Sequence, residues 1–167
     1  MVDLSTITAA VKAAATELIE AAALKPGQIL VAGCSTSEIT GQKIGTASSL
    51  EVGQAVVEAT KIGYRHIDTA QAYNNENGVG EGIRASGLKR DDIFVTTKLA
   101  AEVKDYQKAV SSIDQSLKTM KLDHIDMMII HSPQPWMKFG GKDRYFEGNR
   151  EAWRALEEAY KAGKLRA

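Results

Sequence analysis

Apolar positions recur at steps of three and four from the start of the chain: Leu4, Ile7, Val11, Ala14, Leu18 and Ala22. That spacing predicts an amphipathic helix over residues 4–23, stopped by Lys25-Pro26-Gly27. Residues 28–33 follow as a short apolar run, the form of a strand buried on both faces. A polar loop from Cys34 to Ala47 leads to Ser48 and Glu51, a capping-box pair that opens a helix through Val56, Val57 and Lys61.

The unit then repeats. Residues 64–68 predict a second strand, followed by a glycine-studded helix near 76–86. Residues 93–98 predict a third strand, followed by a helix carrying Tyr106, Val110, Ile113 and Leu117. Residues 125–131 predict a fourth, and a loop with two of the three prolines leads to a helix carrying Trp153, Leu156 and Tyr160. Strands about thirty residues apart with a helix in each interval are the pattern of right-handed βαβ units and a parallel sheet. The expected fold is therefore α/β with a four-stranded parallel sheet.

Length decides how far that pattern can run. At 167 residues the chain reads as a single domain, short of the roughly 200–250 residues of an eight-unit α/β barrel. Twenty-one basic residues balance twenty-one acidic ones, which offers no electrostatic reason to expect nucleic acid or an anionic membrane. One cysteine, Cys34, excludes an internal disulfide and a multi-cysteine metal site, and points to a reducing cytoplasm. No apolar run is long enough for a membrane span.

Functional groups of parallel α/β sheets gather where strands end and loops begin. Asp68, Tyr73, Lys98 and His131 all fall there. A tyrosine beside an ammonium can give a proton to a carbonyl oxygen, a carboxylate can hold that ammonium, and a histidine can orient the oxygen. Other candidates read more simply as structure. His66 lies within a strand. Cys34 lacks a partner base, and the Gly33–Ser37 loop lacks the phosphate-loop pattern. Gly78, Gly80 and Gly82 miss the spacing of a dinucleotide fingerprint, and His124 with the other histidines shows no metal-ligand spacing.

The stretch from Gly63 to Glu76, continued by Val79-Gly80, resembles the signature of the aldo-keto reductase family. Phe94 to Leu99, Ile129 to Trp136, and Trp153 to Glu158 followed by Gly163 to Ala167 resemble further segments of that family in the same order. The resemblance implies that Asp68, Tyr73, Lys98 and His131 match its catalytic tetrad. Tyr73 would be the proton donor, Lys98 and Asp68 its tuning pair and His131 the substrate orienter. It also implies a substrate-contacting role for Trp136, to be weighed against a role of Trp136 and Phe139 in covering core.

Residues 25–38 and 44–49 carry a different resemblance, covering roughly residues 1–60, to the start of an uncharacterised bacterial α/β family, the YwlG-like proteins. The expectation is thus a chimera, engineered, with residues 1 to about 55 from one family and about 55 to 167 from the other. Four βα units would then form an open three-layer α/β/α sandwich, the N-terminal helix covering the second face of the sheet. The alternative is half of a TIM-type barrel, paired with a second copy. Because the later barrel strands carry the family's cofactor contacts, the expected tetrad is vestigial, without turnover, metal or cofactor. The alternative function is an NADPH-dependent carbonyl reductase completed by dimerisation. Monomer or homodimer, without nucleic acid or membrane, completes the expectation.

Overall fold

A computed structural model describes residues 3–25, 39, 41–42 and 63–167. The predicted strand at 28–33, the helix at 48–61, Cys34 and the Gly33–Ser37 loop lie outside the described residues, as does the region near 50–60. In the described part, the first helix, α1 (Leu4–Ala21), begins where the Asp3 carboxylate accepts hydrogen bonds from Ser5 N and from the hydroxyls of Ser5 and Thr6. An N-cap of this kind satisfies amide groups that the first turn leaves unpaired.

The remaining elements follow the predicted alternation. They are β1 (His66–Asp68), α2 (Glu76–Ala85), β2 (Phe94–Leu99), α3 (Tyr106–Met120), β3 (Met127–Ile130) and α4 (Phe146–Lys161). Asp105 caps α3 by accepting from Lys108 N at 2.8 Å, and Lys121 ends that helix in the left-handed region. The three strands are parallel and lie in chain order, β1 beside β2 beside β3. After α4 the backbone returns alongside β3, where Ile125 and Leu165 form a parallel bridge. The expected four strands are three among the described residues, the first predicted one falling outside them.

Strand order settles which faces are covered. When each parallel strand is added on the same side of the last, every right-handed crossover lies over the same face of the sheet. That face carries Val95, Leu99 and Met128, packed with Val79 and Ile83 of α2, Ala109 and Ile113 of α3, and Ala152 and Leu156 of α4. On the opposite face His66 and Asp68 are exposed, Phe94 is 37% exposed and Ile129 41%. A three-layer sandwich would bury both faces. The described residues instead form a one-sided segment of barrel-type wall, and the sandwich expectation gives way to it.

Nor does α1 enlarge the core in the expected manner. Ile7 packs with Val11 and Ile39 in a small cluster separate from the main core, and Leu18 is 48% exposed. Among the described residues no helix is long and apolar enough to cross a membrane.

Two features tie neighbouring elements together. Gly80 lets α2 approach α3 so closely that a Cβ there would lie 2.1 Å from the Met120 carbonyl oxygen. Gly78 and Gly82 of the same helix are buried as well. At the N-terminal end of the strands, Asp126 is 2% exposed. Its Oδ2 accepts from Arg90 at 2.6 Å and from Val95 N at 2.8 Å, and its Oδ1 accepts from Arg166 at 3.2 Å. One carboxylate therefore joins β2, the turn before it and the segment after α4. His124 is part of this cluster, its Nε2 3.7 Å from Asp126 Oδ1.

Candidate functional site

The pairing register explains how residues far apart in sequence meet. Asp68 pairs with Thr96 on β2, and Lys98 pairs with Ile129 on β3. Side chains two residues apart on a strand share a face. Asp68 and Lys98 therefore rise on the same open face, at the C-terminal ends of neighbouring strands, while His131 follows β3 directly. The ladder continues past the strand ends, with Thr69 N donating to Thr96 O at 2.8 Å and His131 N to Leu99 O at 3.0 Å. Tyr73 closes a short 3-10 turn, Gln71–Tyr73, that hangs over the same edge.

The four side chains converge. Lys98 Nζ donates to Asp68 Oδ2 and to Thr69 O, the latter at 3.0 Å, and stands 5.2 Å from the centre of the Tyr73 ring. The Lys98 side chain is 13% exposed and that of Asp68 54%. The His131 ring meets Tyr73 edge-on at 5.6 Å and Trp136 edge-on at 4.9 Å. Burial, followed by the positive charge of Lys98, lowers the His131 pKa below its ordinary 6.5. Both effects penalise the imidazolium. The ring is accordingly neutral at neutral pH, able to donate one hydrogen bond from the nitrogen that keeps its proton.

The structure thus gathers Asp68, Tyr73, Lys98, His131 and Trp136 around one spot. His66 sits apart in β1, its Nε2 2.7 Å from Thr96 Oγ1 and its ring edge-on to Phe94. Phe139 lies 66% exposed beyond Trp136. Among the described residues no three His, Cys, Asp or Glu side chains gather as a metal-binding group.

Sequence reasoning missed the polar layer beneath this cluster. The Gln71 amide donates to Ser112 O and Ser116 Oγ and accepts from Ala100 N at 2.9 Å, tying the Tyr73 turn to β2 and α3. Glu76, only 8% exposed, accepts from Thr97 Oγ1 at 2.7 Å and Ser116 Oγ at 3.1 Å. No pattern in the sequence marks a glutamate in the first turn of a helix as buried, since such residues are usually placed to face solvent near the helix dipole.

Burial raises the Glu76 pKa above its ordinary 4.5, against the opposing effect of the Thr97 and Ser116 hydrogen bonds. The folded state then holds this proton more tightly than the unfolded chain does. Its contribution to stability is full below pH 4.5 and is lost as pH rises through the raised value. Glu76→Gln is expected to flatten that fall. Urea midpoints measured from pH 4 to pH 7 check it, and a slope unchanged by the substitution contradicts it.

Comparison with known proteins bears on what this arrangement is. The chain matches the aldo/keto reductase family over residues 30–167. It is 43% identical over 117 residues to a glyoxal reductase of Bacillus subtilis, covering 70% of this chain and 38% of that protein. It is 36% identical over 127 residues to a methylglyoxal reductase of Escherichia coli, covering 76% of this chain and 42% of that protein. Among solved structures, a Bombyx mori aldo-keto reductase in complex with NADP superimposes with a TM-score of 0.61 at 38% identity, over 74% of this chain and 42% of that one. The chain spans about two fifths of the length of these relatives.

The family match crosses residues 50–60 without a break. It begins within the segment assigned to the YwlG-like proteins, so a junction between two families there is not supported. The expectation of an engineered chimera with a relic site falls with it. Relatives that the chain matches are named as glyoxal and methylglyoxal reductases.

Proposed function

Because this chain belongs to the aldo/keto reductase family, we propose that it carries the proton-handling part of a carbonyl reductase acting on small aldehydes or ketones. The observation that carries the reading is the convergence of Lys98, Tyr73 and His131 beside Asp68 at adjoining strand ends. Relatives named as glyoxal and methylglyoxal reductases support a small reactive dicarbonyl as substrate.

NADPH is the proposed donor, in place of the expectation of no cofactor; a family relative has been solved with NADP. The residues present fit the nicotinamide end of such a group. Asp68 keeps an exposed carboxyl edge beside Lys98, on a face that the helices leave open. Asp68 and Lys98 would border it there. When bound, a reduced nicotinamide supplies a hydride to the carbonyl carbon.

The chain's own residues would manage the oxygen. His131, neutral, would donate a hydrogen bond that fixes the carbonyl oxygen near Tyr73. Tyr73 would then pass its phenolic proton to that oxygen as negative charge develops on it. The Lys98 ammonium, held in place by Asp68 and the Thr69 carbonyl, would stabilise the charge left on the tyrosine oxygen. Trp136 would wall the site on the far side of His131. Oxidation of NADPH by the protein in the presence of methylglyoxal, followed at 340 nm, tests the reading. Absence of aldehyde-dependent oxidation would refute it.

A further inference from the structure

The loop that carries Trp136 runs from Ser132 to Tyr145, and its apolar side chains bury little. Trp136 is 47% exposed, Phe139 66% and Met137 94%. A loop with so little apolar burial must be ordered by its hydrogen bonds. Backbone bonds supply one short turn, with Lys138 N donating to Pro135 O at 2.9 Å and Gly141 N to Lys138 O at 3.0 Å. Its base is pinned by Lys104 Nζ donating to Ser132 O and by Asn149 Nδ2 donating to Pro133 O, each at 2.8 Å.

The far limb is held differently. Gln134 is 3% exposed, and its amide is fully engaged. Nε2 donates to Gly141 O at 3.2 Å and to Asp143 O at 2.5 Å, while Oε1 accepts from Gly140 N at 3.0 Å. Ser132 Oγ in turn donates to the Gln134 carbonyl at 2.8 Å. One side chain thus supplies three bonds to residues 140–143, beside the backbone bond from Gly141 N to Lys138 O. Gln134 joins the far limb to the base of the loop that carries the Trp136 ring against His131, while Trp136 N itself donates to Glu102 Oε1 at 3.4 Å.

We propose that Gln134 is a specificity-positioning residue: by clasping residues 140–143 it fixes Trp136 beside His131 and so sets how well a bulky, aromatic carbonyl compound binds. This rests on the carbonyl-reductase reading above. Gln134 itself is buried beneath the loop and touches no substrate. A small aldehyde needs only the proton-donating cluster and is indifferent to the loop. An aryl aldehyde needs a fixed aromatic wall.

The test pairs kinetics with a readout that does not need turnover. Gln134→Ala is expected to raise KM for benzaldehyde about tenfold, the scale of leaving buried hydrogen-bonding groups unpaired. Its kcat for benzaldehyde, and both constants for acetaldehyde, are expected to stay close to the parent values. Gln134→Glu keeps the acceptor for Gly140 N but sets a buried carboxylate against the Gly141 and Asp143 carbonyls, so its effect should be at least as large as that of Gln134→Ala. In a Trp153→Phe background, where Trp136 is the remaining tryptophan, acrylamide quenching should increase on Gln134→Ala. Equal losses with both aldehydes, or unchanged KM and quenching, overturn the proposal. A parent protein that reduces neither aldehyde overturns the carbonyl-reductase reading as well, and the quenching result then reports on the clasp alone. Unchanged far-ultraviolet circular dichroism in both variants separates these outcomes from misfolding.

Discussion

Tyr73→Phe is expected to lower the rate of aldehyde reduction by about 10²- to 10⁴-fold, the range over which a positioned general acid contributes. Phenylalanine keeps the ring beside His131 and removes the hydroxyl that carries the proton to be transferred. Lys98→Met should fall in the same range, for a different reason. It removes the charge 5.2 Å from the Tyr73 ring centre that would stabilise the phenolate oxygen. The loss in stability should be small in both cases, with Lys98→Met the larger by about 1 kcal/mol because it also leaves the Thr69 carbonyl without its donor. The Asp68 side chain is 54% exposed, so once its partner is gone it can turn to water. Pairs of that kind are worth about 0–1 kcal/mol. Steady-state kinetics with methylglyoxal and thermal melts of the same samples check both halves. A Lys98→Met protein that keeps parent kcat, or one that melts far below the parent, contradicts the account.

Asp126→Ala should have the largest effect on stability. The carboxylate is 2% exposed and accepts from Arg90, Val95 N and Arg166. Removing it leaves the buried Val95 amide without its acceptor and the largely buried Arg90 guanidinium without its counter-charge, bonded only to the Ile93 and His124 carbonyls. Breaking a buried charge pair in this way costs about 3–5 kcal/mol. Asp126→Asn should cost less, because it keeps one acceptor oxygen and can still bond Val95 N. Both substitutions lie at the N-terminal ends of the strands, away from Lys98 and His131. Below the unfolding transition the rate of reduction should therefore be close to that of the parent. Urea titration gives the first quantity and kinetics at low temperature the second. A midpoint shift for Asp126→Ala no larger than for an exposed aspartate such as Asp123 would show that the network contributes little.

Short-range patterns carried much of the answer. The steps of three and four that place Tyr106, Val110, Ile113 and Leu117 on one face predict the helix observed at Tyr106–Met120. The apolar runs at 93–98 and 125–131 predict strands found at Phe94–Leu99 and Met127–Ile130. Asp68, Tyr73, Lys98 and His131 could be singled out because strand ends are where parallel sheets present chemistry. The same local reasoning misled at the N-terminal segment. An apolar run followed by a Ser- and Gly-rich loop begins a βα unit in many α/β proteins, so residues 25–49 cannot by themselves tell one family from another.

What the sequence determined by itself is what depends on neighbours within a few residues: the parallel βα alternation and the motif positions of the four polar residues. Only the tertiary structure decided that the strands follow chain order, that their helices cover one face, and that the other is open where Asp68 and Lys98 rise. It alone showed Glu76 and Gln134 as buried polar groups and Gly80 as a contact point between helices. The physical reason is common to all of these. Burial, pairing register and close approach arise between residues tens of positions apart. A side chain's local pattern records which way it points along its own element and says nothing of what arrives there from elsewhere in the chain.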